Sequence, residues 1–178
     1  GSATIMTSFN ELNGIPATAH NYLLQEVLRK QWGFSGMVVS DWQSIGEMLD
    51  HGFVADSLEA AKKAMEAGTD MDMMAEIYLK KIPVLIDNGQ LDQKVLDQAV
   101  RRVLELKFKL GLFDNPYLYS DTVREQNEIR SASNLAAAHE VAKKSIVLLK
   151  NENNILPLAK DIKRLAVIGP LANNKEDM

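Results

Sequence analysis

The chain has 178 residues, of which 46% are hydrophobic and 25% are charged, and its formal net charge is −4. This composition is typical of a globular protein and excludes a disordered one, and the mild acidity argues against nucleic-acid binding. The lack of cysteine excludes disulfide and thiolate chemistry. The three histidines lie too far apart for a metal site, and no apolar run is long enough to span a membrane. We therefore expect no metal, no cofactor, no nucleic-acid partner and no membrane partner.

Strands and helices alternate along the first two thirds of the sequence. Short β-favouring runs predict strands at 3–8, 37–39 and 69–73. A loop rich in Asn, Gly and Pro is expected at 10–18. Apolar spacing and capping residues predict helices at 19–31, 45–49, 56–67, 78–86 and 95–110. This order is typical of parallel βα units, so the predicted fold class is α/β.

The predicted elements indicate two domains. Three βα units cannot close an eight-stranded barrel, so residues 1–114 are interpreted as the C-terminal part of a (β/α)8 TIM-type barrel. The polar segment 115–131 is read as an interdomain linker. Residues 132–178 would then begin a second α/β sandwich domain, with a helix from about residue 133 and a strand at 165–168. Because both ends of the chain lie at strand-like runs, we expect it to be cut from something longer.

One predicted strand ends in two residues with catalytic potential. The run Val38-Val39-Ser40 favours a buried strand, and Asp41 and Trp42 follow it. In a barrel of parallel strands the catalytic face lies at the carboxyl ends of the strands, so Asp41 could act there as a nucleophile. Trp42 could line a sugar pocket. The alternatives are that Asp41 only caps the next helix and that Trp42 packs in the core.

Other titratable residues have simpler interpretations. Asp70 and Asp72 lie two apart on a predicted strand, so both are expected on one face. One of them could be an acid, but we favour loop and cap roles for both. His51 is expected to contact a helix C-terminus rather than the barrel mouth. His20 and His139 lie in helical stretches, where packing or surface roles are expected.

The strand that ends at Asp41 belongs to a longer recognisable run. From Val27 to Ser44 the sequence contains Trp32-Gly33-Phe34-Ser35-Gly36 followed by the strand and Asp41-Trp42. This ordered run resembles the nucleophile signature of glycoside hydrolase family 3. Further likeness covers essentially the whole chain, including the runs Met6-Thr7-Ser8-Phe9-Asn10, Gly68-Thr69-Asp70-Met71-Asp72-Met73 and Ser145-Ile146-Val147-Leu148-Leu149-Lys150-Asn151. It is greatest to bacterial, often periplasmic, β-glucosidases.

The resemblance implies a retaining, exo-acting β-glucosidase that hydrolyses terminal non-reducing β-D-glucosyl residues. Asp41 would form the covalent glycosyl-enzyme, and Trp42, Met6 and Phe9 would contact the substrate. Phe9 departs from the Tyr found in many members, so a hydrogen bond to the nucleophile would be lost, and the alternative to substrate contact is that Phe9 only packs. In the family the acid/base residue is usually supplied by the second domain, and no residue of this chain is assigned to that role.

The resemblance leaves the role of this chain by itself open. It could form part of an enzyme acting on a β-glucoside or oligosaccharide. Alternatively, it could be a catalytically incompetent fragment that serves as a structural or complementing piece. Its partners would then be the missing remainder of the enzyme or a second copy of itself. The resemblance implies a periplasmic or secreted location, although the N-terminus lacks the pattern of a signal peptide.

Overall fold

A computed structural model describes residues 1–174 of the chain. It consists of two compact units, Gly1–Ser120 and the segment from Asp121 onward. The secondary structure is helix-rich and of the α/β type, in agreement with the alternating sequence pattern. Within the described residues, no helix combines the length and the apolar character that crossing a membrane requires.

The first unit is built around a pair of parallel strands. β1 (Thr4–Met6) pairs with β4 (Met37–Val39), with Ile5 opposite Val38 in the middle of the register. A π-helix, Tyr22–Gln31, connects the two strands and makes the crossover that parallel pairing requires. All three residues of β4 are buried, which explains why this strand is continuously apolar.

Two predicted segments differ in detail from the structure. The expected loop at 10–18 contains a short antiparallel hairpin of β2 (Glu11–Leu12) and β3 (Ile15–Pro16). Its turn is Asn13-Gly14, a pair that favours the left-handed backbone of tight hairpins. The expected third strand at 69–73 is reduced to one parallel bridge between Val39 and Met71. Three residues further on, Met74 has a left-handed backbone with φ 67°, which does not continue a strand.

Four helices follow β4 and bury one continuous core. They are α1 (Ser44–Glu47), α2 (Ser57–Ala67), α3 (Ile77–Asp87) and α4 (Gln93–Lys109). The core contains small residues of α2 packed against larger apolar side chains: Ala60, Ala61, Ala64, Ile45, Met48, Ile82 and Leu85. Both predicted ends of α2 are confirmed. Asp56 accepts hydrogen bonds from the amides of Leu58 and Glu59, and Gly68 follows the helix in the left-handed conformation.

Gly68→Ala is expected to destabilise the chain by about 1–3 kcal/mol. The backbone at Gly68 has φ +103°, where a side chain is strained. A methyl group there would also overlap the amide nitrogen of Gln25, which donates to the Ala67 carbonyl at 3.1 Å. Chemical denaturation measures the loss. Gly89→Ala is the control, because Gly89 has a positive φ but open space around it. An equal loss in both variants would assign the whole effect to the backbone rather than to the overlap.

The described part of the second unit, residues 121–174, contains two α-helices and little other regular structure. These are α5 (Thr122–Glu128) and α6 (Ala132–Ser145). α5 lies in the segment expected to be an irregular linker, and Asp121 caps it through the amides of Val123 and Arg124. The predicted strand at 165–168 is wrong, because no backbone partner satisfies it in residues 121–174. A strand without a neighbour leaves its amide and carbonyl groups unpaired.

Candidate active site

Asp41 lies at the carboxyl-terminal edge of the parallel strands. Two backbone hydrogen bonds hold the strand ends together at this edge. The Thr7 amide donates to the Val39 carbonyl at 3.0 Å, and the Ser40 amide donates to the Met71 carbonyl at 2.9 Å. The ends of β1, β4 and the bridged segment at Met71 therefore meet beside Asp41. This is the edge at which parallel α/β folds hold their ligands.

The turn around Asp41 presents a half-buried carboxylate. One oxygen accepts a hydrogen bond from the Trp42 amide at 2.6 Å. The main-chain carbonyl of Asp41 accepts from the Ser44 amide at 3.2 Å and from the Ser40 hydroxyl at 3.0 Å. Among the described residues no Lys, Arg or His forms an ion pair with it. Its second oxygen forms no hydrogen bond with the described residues 1–174.

The capping alternative for Asp41 is wrong. The residue before α1 is Gln43, which has a left-handed backbone with φ 62° and makes no side-chain cap hydrogen bond. Among residues 1–174 the Asp41 carboxylate accepts a hydrogen bond from the neighbouring Trp42 amide alone, and not from the first turn of the helix. A local capping role therefore does not account for this carboxylate.

The other predicted site residues are exposed around the same edge. Met6 ends β1 with 50% of its surface exposed, and Trp42 follows Asp41 with 55% exposed. Phe9 lies in the loop after β1 and is 39% exposed. Core packing is thus not the role of Trp42 within this chain. Large apolar side chains next to a carboxylate form a surface suited to the apolar face of a sugar.

Two strained loops support this edge. The sequence analysis did not predict them. Gln43, Met74 and Glu76 have left-handed backbones with φ of 62°, 67° and 54° although none is glycine. The loops are joined by hydrogen bonds from the Gln43 amide to the Met73 carbonyl at 3.0 Å and from the Gln43 side chain to the Met74 carbonyl at 3.3 Å. Strained residues of this kind cluster at functional sites. No local sequence signal, such as a glycine, indicates these positions.

Asp70 and Asp72 have structural roles, in agreement with the favoured interpretation. Asp72 accepts hydrogen bonds from the amides of Ile77 and Tyr78 and thereby caps α3. Asp70 is buried and does more than was expected of a loop residue, because it forms ion pairs with two arginines. Burial raises the pKa of the Tyr78 phenol well above its ordinary value, and the carboxylates of Asp72 and Asp70 raise it further.

The histidines do not gather at a site. The His51 amide bonds the Glu47 carbonyl at the end of α1, whereas the imidazole pairs with Glu11 of the hairpin at 2.5 Å. The helix contact expected of His51 is therefore made by its main chain alone. His20 is buried and His139 is exposed on α6. In residues 1–174 no group of three or more His, Cys, Asp or Glu side chains could hold a metal ion.

Comparison with protein families gives two matches along this chain. Residues 1–106 match the model described as the glycosyl hydrolase family 3 N-terminal domain. Residues 146–178 match the glycosyl hydrolase family 3 C-terminal domain. The two matches follow one another in sequence and leave residues 107–145 between them.

Individual relatives agree with the family matches. The periplasmic β-glucosidase of Salmonella typhimurium is 44% identical over 183 residues, which cover 100% of this chain and 24% of that protein. A putative β-xylosidase of Formosa agariphila is 43% identical over 96% of this chain and 22% of its own length. A crystal structure of a Listeria innocua β-glucosidase with glucose superimposes with a TM-score of 0.72 and 40% identity, over 89% of this chain and 22% of that one. This chain spans about a quarter of the length of these relatives.

Proposed function

This chain belongs to glycosyl hydrolase family 3, and we propose that it carries the nucleophile of a retaining, exo-acting β-glucosidase. The observation that carries the proposal is the carboxylate of Asp41, which lies half-buried at the carboxyl edge of parallel strands and forms no ion pair within residues 1–174. Two features support it further, the exposed apolar surface at Met6 and Trp42 and the strained loops behind the carboxylate.

In the proposed reaction the Asp41 carboxylate attacks the anomeric carbon of a terminal β-glucosyl residue. A new ester bond forms as the glycosidic C–O bond breaks, and the leaving alkoxide takes a proton from a general acid. Water then hydrolyses the ester with the same group acting as base. Retaining enzymes hold the two carboxyl groups about 5–5.5 Å apart. We assign neither Glu152 nor Glu176 to the acid/base role, since neither lies in a segment that resembles the acid/base region of the family.

We further propose that residues 1–114 form the later βα units of a (β/α)8 barrel, that 115–131 link domains and that 132–178 begin a second α/β domain. The parallel β1–π-helix–β4 crossover supports the barrel, as does the parallel bridge from Val39 to Met71. Both are connections of the kind from which a parallel barrel is built. The match of residues 146–178 to the C-terminal domain of the family supports the second domain.

Trp42, Met6 and Phe9 are proposed to contact the sugar. The relatives include enzymes named as β-glucosidases and as β-xylosidases, and we propose glucose as the sugar on the strength of the Salmonella relative. The name of that protein also supports a periplasmic or secreted location. Oligosaccharides and simple β-glucosides both present the terminal residue that this edge would receive.

A structural or complementing role is the second candidate. Within residues 1–174 the main sheet has two strands, and a sheet of this size is marginally stable by itself. In residues 121–174 every side chain is exposed or at most half-buried, so this part of the second unit has no buried core in this chain. Both observations favour association with further chain, either the remainder of the enzyme or a second copy.

Covalent labelling separates the two candidates. The chain is incubated with a 2-deoxy-2-fluoro-β-glucoside carrying a dinitrophenolate leaving group, which departs without a general acid. We expect one fluoroglucosyl adduct per chain by intact mass, located at Asp41 by peptide mapping, because its carboxylate replaces dinitrophenolate at the anomeric carbon.

Two variants control the labelling experiment. Asp41→Asn should form no adduct, because the amide is a poor nucleophile, whereas Asp50→Asn, at an exposed position, should label like the wild type. Circular dichroism verifies that each sample is folded. An unlabelled but folded wild-type chain would favour the structural role, and an adduct elsewhere would reject Asp41 as the nucleophile.

A further inference from the structure

A chain of buried hydroxyl groups lies beneath the turn that carries Asp41. The hydroxyls of Thr7 and Thr18 are 3.0 Å apart, and those of Thr18 and Ser44 are also 3.0 Å apart. The three residues are 6%, 1% and 4% exposed. Thr18 is therefore the middle member of a hydrogen-bonded row that is closed to solvent.

Each end of the row is tied to the candidate site by the main chain. At one end, the Thr7 amide donates to Val39 at the end of β4. At the other end, the Ser44 amide donates to the carbonyl of Asp41 at 3.2 Å. The row thus joins the end of β1 to the turn between Asp41 and α1.

The position of Thr18 is itself fixed. It lies in the 3₁₀ turn Ala17–Ala19, and its carbonyl accepts a hydrogen bond from the buried Thr69 hydroxyl at 2.7 Å. A hydroxyl has one proton and two lone pairs, so Thr18 can donate to one neighbour and accept from the other.

We propose that Thr18 is a positioning residue that holds the Asp41 turn at the distance from β1 that nucleophilic attack requires. The inference rests on the proposed function of Asp41. Its physical basis is the cost of leaving a buried hydroxyl unpaired, about 1–3 kcal/mol, which penalises every other arrangement of the turn. Rates of attack depend steeply on this geometry, since a displacement of about 1 Å can cost about 10²-fold.

The test compares Thr18→Val with Thr18→Ser in the labelling reaction with the fluoroglucoside. Val keeps the shape of Thr but leaves the Thr7 and Ser44 hydroxyls without their shared partner, whereas Ser keeps the hydroxyl. We expect the maximal labelling rate of Thr18→Val to fall by about 10-fold to 10²-fold, with the reagent concentration at half-maximal rate unchanged. Thr18→Ser should label at about the wild-type rate. Thr4→Val, the same change at an exposed position of β1, should label like the wild type.

The outcomes distinguish this inference from the proposed function. A labelled wild type with an equally fast Thr18→Val overturns the assignment of Thr18 and leaves Asp41 standing. A slow Thr18→Ser, or weaker reagent binding in Thr18→Val, would also overturn it, because either result indicates general structural damage. An unlabelled, folded wild type overturns the proposed function and the Thr18 assignment together. If Thr18→Val does not fold, Ser44→Ala removes the last hydroxyl of the row and is judged by the same criteria.

Discussion

Asp70→Asn is expected to destabilise the chain by about 3–5 kcal/mol, because two nearly buried guanidinium groups lose their counter-charge. Arg29 pairs with one oxygen of Asp70 at 2.8 Å and Arg102 pairs with the other at 2.6 Å. The Asp70 side chain is only 1% exposed. The same carboxylate accepts a hydrogen bond from the Val38 amide at 2.9 Å, so it fixes the strand that leads to Asp41.

The charge of Arg29 makes this site sensitive. Burial lowers the pKa of its guanidinium, and the charge of Arg102 lowers it further, while Asp70 opposes both effects. Its Nε is also buried without a hydrogen-bond partner in the described part of the chain. Without the Asp70 carboxylate, the positive charges of Arg29 and Arg102 would remain close together with little access to solvent.

Chemical denaturation followed by circular dichroism measures the loss of unfolding free energy. Glu26→Gln is the matched control, since it breaks the exposed Glu26–Lys30 pair at 2.5 Å and should cost below about 1 kcal/mol. Adding Arg102→Met to Asp70→Asn should recover part of the loss, because one unpaired cation is removed. A cost of Asp70→Asn no greater than that of Glu26→Gln would contradict the prediction.

Gly36→Ala is expected to lower the free energy of unfolding by about 1–3 kcal/mol or more, because there is no space for a methyl group at this position. It would overlap the Ala3 carbonyl oxygen and lie 2.7 Å from the ring of Phe34. That carbonyl accepts the Met37 amide at 3.1 Å, the first hydrogen bond between β1 and β4. Relief of the overlap therefore separates the two strands whose ends flank Asp41.

The free energy of unfolding measures the loss of stability, and hydrogen exchange at the Met37 amide measures the separation of the two strands. The exchange rate should increase in Gly36→Ala, since the hydrogen bond to Ala3 is weakened. Gly46→Ala is the control: its methyl group would meet only ordinary contacts at 3.7 Å. In helix α1 alanine is favoured over glycine by about 1 kcal/mol, so that variant should be neutral or more stable. Unchanged exchange at Met37 in Gly36→Ala would show that the strands tolerate the methyl group.

The sequence predicted the features that depend on a few neighbouring residues. The cap at Asp56, the helix end at Gly68 and the strand before Asp41 were all predicted from local patterns and are present. The family was also recognisable from one ordered run around Asp41. The role of Asp41 and the contacts of Trp42 with a sugar stay predictions.

Local patterns failed where a segment depends on distant partners. The apolar run at 165–168 resembles a strand, but pairing needs a second strand, and none is present in residues 121–174. In the opposite sense, α5 forms in a segment with weak periodicity because Asp121 satisfies the first amides of the helix. The strand expected at 69–73 is reduced to a single bridge at Met71, and Met74 just beyond it has a left-handed backbone, which ends the extended run.

The sequence by itself therefore determined the order of the larger helices of the first unit, both ends of α2, the family and the position of Asp41 after a buried strand. Only the tertiary structure decided that Asp70 joins Arg29 and Arg102, and that Thr18 links Thr7 to Ser44. The physical reason is the range of the interactions. Caps and periodicity act within a few residues, whereas ion pairs and buried hydroxyl contacts join positions between 11 and 41 residues apart, whose meeting depends on how the whole core packs.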